Sequence, residues 1–195
     1  MRKIIASTFI SLDGVMQAPG GPTEDQSGGF DLGGWTWKYA DEKSGAAVMK
    51  MIGTPDEPYD LLLGRKTYDI FSGHWPHVPE DNPIGSIFNK VNKYVMTNGS
   101  GNFTWANSHK ISSIAELKSI KSGDGATIVL WGSSAIFPLL LEANLIDQLQ
   151  LLTFPLVLGK GKKLFGSSSH SIAMKLVSHE VNSNGIVITN YELNQ

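Results

Sequence analysis

Three short stretches bring glycine, hydroxyl and cationic side chains together directly after apolar runs. Leu61-Leu62-Leu63 leads into Gly64-Arg65-Lys66-Thr67, Val95-Met96 into Thr97-Asn98-Gly99-Ser100, and Leu130-Trp131 into Gly132-Ser133-Ser134. Glycine or a small hydroxyl lets the backbone approach a ligand, and a helix N-terminus offers N–H donors that the helix itself leaves unsatisfied. The first stretch carries the strongest signal. Arg65 and Lys66 stand at the positive end of the helix expected to follow, where the macrodipole disfavours cations. An anion held between them would offset that cost, and a phosphate-bearing cofactor spanning all three turns is the chemistry they would serve together. Glycine after a strand is also ordinary punctuation, and an exposed Arg-Lys pair is often only solvated surface. The coincidence of three favours the ligand.

Asp13 follows the first apolar run. In a partly apolar pocket its carboxyl would have a raised pKa and would be suited to proton relay or to hydrogen bonding a heterocycle. With Gly14 it would equally serve as a plain turn. Trp35, Trp37 and Tyr39 crowd beside a glycine-rich stretch, as stacking surfaces for a flat ring or as the edge of a core. Other chemistries find little support. Only Lys66-Thr67 matches the end of G-x-x-x-x-G-K-[ST], and Leu164 stands where a third glycine would complete Gly159-Lys160-Gly161. No G-x-S-x-G elbow occurs, and His74, His77, His109, His170 and His179 show no metal-ligand spacing, so no metal site is expected.

The elements that must position these residues follow from the pattern. Ile4–Ile10 reads as a buried strand, Gln17–Gly34 as a long irregular loop, and Asp41–Ile52 as a helix ended by Thr54-Pro55. Leu61–Leu63 is a short strand with a short helix from Arg65, and Pro79 and Pro83 mark an irregular passage. Val91–Thr97 and Thr127–Trp131 are strands. Ser113–Lys121 is a helix with Glu116 at capping-box distance from Ser113, and Ala135–Ala143 is another. Ile146–Phe154, Ile172–His179 and Gly185–Leu193 close the chain as strands, the last two forming a hairpin around Asn182-Ser183-Asn184-Gly185. Alternating strands and helices followed by strands alone predict an α/β fold, parallel first and antiparallel late, in one domain over 1–195.

Composition sets outer bounds. The 195 residues are 41% hydrophobic and 17% charged, with Lys+Arg 16 against Asp+Glu 18 and a formal net charge of -2, so nothing drives non-specific nucleic-acid binding. Cysteine is absent, which excludes disulfides and thiolate chemistry. No run approaches the roughly 18 apolar residues of a membrane span. A cytoplasmic protein is expected, and the apolar stretch Leu149–Phe154 is suited to a homodimer or to the interior.

Four stretches in order, STFISLDGVM, DLLLGRKTYDIF, IVLWGSSAIFPLLLEANLIDQLQL and PLVLGKGKKLF, resemble the dihydrofolate reductase-like superfamily. The branch resembled is the C-terminal reductase domain of the riboflavin-biosynthesis protein RibD, over nearly the whole chain. The resemblance implies a three-layer α/β/α fold with a mixed, mainly parallel central sheet. It also implies NADPH and hydride transfer to a pterin- or pyrimidine-like heterocycle, such as a ribosylaminopyrimidine of riboflavin synthesis. By motif, Arg65 would meet the adenosine 2′-phosphate, while Gly64, Lys66 and Thr67 would serve the pyrophosphate. Thr97 and Asn98 would face the adenosine, and Gly132, Ser133, Ser134 and Ala135 the pyrophosphate and nicotinamide side. Asp41, after the tryptophan loop, would correspond to the substrate-binding acid of folate reductases, with an N-cap as its other role. Dihydrofolate reductases carry adjacent glycines where Trp131-Gly132 stand here, a departure that bears on whether a cis peptide is inherited. A non-catalytic nucleotide- or pterin-binding module, a dihydrofolate reductase proper and a phosphotransferase are the competing readings, the last lacking a P-loop.

Overall fold

The structure, a computed structural model, describes residues 1–40, 45–46, 48–49, 59–166 and 171–193. Its strands are β1 (Ile4–Ser11), β2 (Tyr59–Gly64), β3 (Lys93–Met96), β4 (Ser108–Ile111), β5 (Thr127–Trp131), β6 (Gln148–Phe154), β7 (Met174–Val181) and β8 (Val187–Leu193). They form one mixed, mainly parallel eight-stranded sheet in the order β4-β3-β2-β5-β1-β6-β8-β7. The helices are α1 (Arg65–Ser72), α2 (Pro83–Phe88), α3 (Ile114–Ser122) and α4 (Phe137–Glu142). Among the described residues no helix is long and apolar enough to cross a membrane.

Two compact units are distinguished: Met1–Ala6 with Ile52–Asp147, and Ser7–Met51 with Gln148–Gln195. In the first, β2 pairs in parallel with β3 and β5, and β3 with β4. Leu61, Leu62, Leu63, Ile128 and Leu130 are fully buried, as the unbroken apolar runs of a sheet covered on both faces require. Ser113 Oγ caps α3 by accepting from Glu116 N at 3.1 Å, while Glu116 Oε2 accepts from Ser112 N at 2.8 Å. The reciprocal bond of the expected capping box thus falls one residue early.

Two elements in this unit depart from expectation. Pro83 opens α2 instead of marking an irregular passage. Its missing N–H costs nothing at a first helical position, and Asn82 Oδ1 accepts from Ile84 N at 3.1 Å and Gly85 N at 2.9 Å. The edge strand β4 is four residues long, SHKI, with three of them polar, which is too short and too polar to register as a strand by pattern.

The amino-terminal ends of these parallel strands are tied by buried charge. Arg2 forms an ion pair with Asp60 and donates to Ala126 O at 2.6 Å, and Asp60 Oδ1 accepts from Asn92 Nδ2 at 2.9 Å. Lys121 pairs with Asp147, whose Oδ2 also accepts from Ile4 N at 2.6 Å. Lys93 is completely buried, donates to Asn89 O at 3.1 Å and Ala106 O at 2.9 Å, and lies 4.5 Å from the Trp105 ring centroid.

In the second unit β8 pairs antiparallel with both β6 and β7. The expected hairpin is present: Asn182 Oδ1 accepts from Asn184 N and Ile186 N, and Gly185 takes φ +77°. The apolar stretch of β6 points inward, with Leu149, Leu151, Leu152 and Phe154 all buried. The expected helix over Asp41–Ile52 falls mostly outside the described residues.

Candidate functional site

Because β2, β3 and β5 are parallel and in register, with Gly64 opposite Met96 and Leu62 opposite Leu130, their carboxyl ends share one edge of the sheet. The three turns singled out by residue type therefore emerge together. Glycines allow them to close on one another. A Cβ on Gly64 would collide with the Ser133 hydroxymethyl group, and one on Gly132 would come within 3.2 Å of Thr67 Oγ1. Gly132 has φ +66°, a left-handed backbone that favours glycine, and the peptide bond from Gly132 to Ser133 is cis. That bond lies one residue beyond the Trp131-Gly132 pair.

Gly64, in extended conformation, is the N-cap residue of α1 and makes no side-chain cap bond there. Ser133 is buried, Gly132 and Ser134 are half-buried, and Ala135 is exposed. Thr97 Oγ1 accepts from Gly99 N at 3.0 Å, which folds the second turn back on itself and leaves Asn98 exposed.

Arg65 is held on several sides. Its Nε donates to Asp69 Oδ1 at 2.9 Å and Oδ2 at 3.1 Å, one helical turn on. Its guanidinium lies 5.4 Å from the Phe103 ring centroid, and a Cβ on Gly101 would collide with Nη1. Phe103 is placed by Tyr68, whose ring is 5.1 Å away and whose hydroxyl accepts from Trp105 N at 3.2 Å. The electrostatic cost of a cation at this helix end is thus met in part by Asp69. Asp69, Gly101 and Phe103 were not among the expected site residues. The i+4 acid was open to inspection, but the fold alone brings Gly101 and Phe103 to the arginine.

The candidates for the heterocycle lie in the second unit. Asp13 accepts from Ser11 Oγ at 2.6 Å, Leu158 N at 3.1 Å and Gly159 N at 2.9 Å. These bonds favour the ionised carboxylate, and Ser11 and Leu158 lead in lowering its pKa to about 2. The expected raised pKa is reversed, because the carboxylate meets hydrogen-bond donors and not an apolar pocket. Trp35 is buried, donates from Nε1 to Gln17 O at 2.8 Å and packs edge-on against Phe154 at 5.3 Å. Trp37 is 60% exposed and donates to Gly20 O at 2.8 Å. Asp41 lies outside the described residues.

The irregular passage Gln17–Gly34 is fastened to the segment around Gly161. Gln17 Nε2 donates to Asp25 O and Ser27 O, its Oε1 accepts from Lys162 N at 2.9 Å, and Lys162 Nζ pairs with Asp25 at 2.7 Å. Burial alone would raise the Asp25 pKa, but the Lys162 and Ser27 bonds outweigh it and the net shift is downward. A Cβ on Gly161 would reach Val15 and Phe30, so this glycine serves internal packing.

A family model described as the RibD C-terminal domain matches residues 2–188. The chain is 24% identical over 198 residues to the uncharacterized protein YyaP of Bacillus subtilis, covering 99% of this chain and 96% of that one. Among solved structures it resembles a candidate riboflavin biosynthesis protein from Shewanella sp. PV-4, with TM-score 0.75, 18% identity and 99% of each chain covered. It also resembles the dihydrofolate reductase of Enterococcus faecalis complexed with NADP(H) and RAB-propyl, with TM-score 0.63, 16% identity, and 99% and 97% covered. A pyrimidine reductase-like protein from Corynebacterium diphtheriae gives TM-score 0.61 at 12% identity, with 100% and 92% covered. At these identities the structural likeness establishes the dihydrofolate reductase-like fold.

Proposed function

The chain belongs to the RibD C-terminal domain family, and on that premise we propose that it is an NADPH-dependent reductase acting on a small pterin- or pyrimidine-like heterocycle. The observation that carries this reading is the mutual fit of three turns at one sheet edge. Gly64 makes room for Ser133, Gly132 for Thr67, and Gly101 for Arg65, a cradle in which added Cβ atoms would fill the available space. In an open α/β sheet, ligands bind outside the carboxyl ends of the strands.

NADPH, when bound, supplies the hydride, so the protein needs no nucleophile of its own. The first-turn amides of α1, with Lys66 and Thr67, would hold the pyrophosphate together with Gly132, Ser133, Ser134 and Ala135. Arg65 would select the 2′-phosphate, with Thr97 and Asn98 on the adenosine side. For the heterocycle, Trp37 offers the exposed ring, Trp35 would contribute from its buried place against Phe154, and Asp41 stays the proposed acid. Asp13, ionised at neutral pH, acts by positioning Leu158 and Gly159. That same low pKa makes Asp13 a poor proton donor and favours, as a second reading, a module that binds nucleotide without turnover.

Titrating NADPH and NADH against the wild type and Arg65→Ala tests the cofactor assignment. NADPH is expected to bind at least tenfold tighter than NADH, with the preference lost in the variant, since a charge-assisted contact contributes roughly 1.5–3 kcal/mol. Equal affinities in the wild type would refute the role of Arg65. NADPH oxidation with ribosylaminopyrimidines, pterins and dihydrofolate then names the substrate class. Tight binding without turnover on any of them selects the non-catalytic module.

A further inference from the structure

Arg65 is held more closely than stability asks of it. Its side chain is 38% exposed and that of Asp69 48%, and a solvent-exposed i,i+4 pair contributes little to a fold. Three groups nevertheless fix the guanidinium. Both Asp69 oxygens accept from Nε, at 2.9 and 3.1 Å. The Phe103 ring lies against it, with Cζ 5.4 Å from the centroid, and Tyr68 packs edge-on against Phe103 in turn.

Gly101 is the third. A Cβ there would collide with Nη1 and come to 3.2 Å from Cζ and 3.3 Å from Nη2, so its three nearest neighbours would all be atoms of the guanidinium. Gly101 does not take a left-handed φ, unlike Gly132. Its backbone would therefore accept another residue, and the space held by Arg65 would not. Among the described residues neither Nη1 nor Nη2 donates to a protein acceptor. The inner nitrogen is spent on Asp69, and the terminal pair is left for something else.

We propose that Asp69, Phe103 and Gly101 are positioning residues for the choice of NADPH over NADH, holding Arg65 so that Nη1 and Nη2 together meet the 2′-phosphate. The proposal rests on the cofactor reading given above. A guanidinium fork matches two phosphate oxygens only in a fixed orientation. Arginine has much rotamer freedom, and ordering it when the ligand arrives would cost affinity. Here the ordering is already made in the fold. The Asp69 charge opposes a phosphate, but Arg65 neutralises it in part and solvent screens the rest. Orientation outweighs that repulsion.

Dissociation constants of the full chain for NADPH and NADH, by fluorescence titration, give the preference as a ratio. Gly101→Ala is the sharpest variant, because its methyl group meets only the far end of a flexible side chain. Its melting temperature should match the wild type, while the preference falls about tenfold. Asp69→Ala frees Arg65 and should lower the preference about fivefold, and Phe103→Leu about threefold. Asp69→Asn keeps an acceptor for Nε and should recover most of the loss. NADH affinity should be unchanged in all four. If Arg65→Ala abolishes the preference while Gly101→Ala and Asp69→Ala retain it, the positioning role is refuted and the cofactor reading stands. Tighter NADPH binding by Asp69→Ala would also refute it, since Asp69 would then act by charge alone, as would Asp69→Asn no better than Asp69→Ala. Equal affinities for the two cofactors in the wild type would overturn both readings.

Discussion

The two ends of one set of parallel strands are built on opposite plans. At the amino-terminal end the charged residues Arg2, Asp60, Lys93, Lys121 and Asp147 are drawn inward and bound to one another or to backbone carbonyls. At the carboxyl end, Gly64, Gly101 and Gly132 bring small polar groups and one arginine close together, and α1 starts with no side-chain cap. One end commits its polar groups to the fold. The other keeps backbone donors and hydroxyls at the edge where α/β sheets receive ligands. Substitutions at the first should therefore act on stability, and substitutions at the second on binding.

The largest expected effect is at the amino-terminal end. Arg2→Met removes the partner of a buried carboxylate and its bond to Ala126 O. Leaving one member of a buried pair alone costs roughly 3–5 kcal/mol. Asn92 still donates to Asp60, so the lower part of that range is expected. The measurement is the shift of the urea midpoint at constant slope, with the NADPH affinity of the folded fraction unchanged. A matching loss of affinity in the folded protein would break the division between the two ends.

Lys93 gives a pH-dependent version of the same test. Burial pushes its pKa down from 10.5 to about 8, partly opposed by the charge of Asp60. Between those values the unfolded chain binds more protons than the folded one, so stability rises with pH from about 8 to about 10.5. Below pH 8 the cost of burying the charge is fully present. The wild type should gain roughly 2–3 kcal/mol across that window relative to Lys93→Met, whose curve lacks this titration. Parallel curves for the two proteins would show that the ammonium is not desolvated as its complete burial indicates.

The carboxyl end was readable in the sequence for the same reason that the amino-terminal end was not. The candidate ligand turns are marked locally, by glycine or a hydroxyl directly after an apolar run, as at Gly64, Thr97 and Gly132, and the parallel register brings them to one edge. Arg2 and Asp60 are 58 residues apart, and Asp13 meets Leu158 and Gly159 145 and 146 residues away. Ser11, the leading donor that lowers the Asp13 pKa, is local, but Leu158 N and Gly159 N reach the carboxylate from the far end of the chain, so its full hydrogen-bonded setting is not written near Asp13. Trp35 carries the same lesson: its residue type invites a stacking role, while its burial against Phe154 is decided by tertiary packing. The fold was legible except where pattern fails, in four-residue β4 and at Pro83, which opens α2 behind its Asn82 cap.

The smallest effect on stability should fall at the carboxyl end, and it sharpens the contrast most. Gly132→Ala places a Cβ on a backbone at φ +66° and 3.2 Å from Thr67 Oγ1. A left-handed alanine costs roughly 1–2 kcal/mol, and Thr67 has to give by a few tenths of an ångström. The fold should survive with a modest fall in midpoint, because no buried charge or core side chain is disturbed. Binding should not survive so well: the displaced atom is the hydroxyl we propose for the pyrophosphate, in a turn whose glycine leaves room for it. NADPH affinity measured by fluorescence titration is expected to fall by more than tenfold, a larger free-energy change than the same substitution causes in folding. If the stability loss equals or exceeds the affinity loss, Gly132 serves the fold as Arg2 does, and the two ends of the sheet are not functionally distinct.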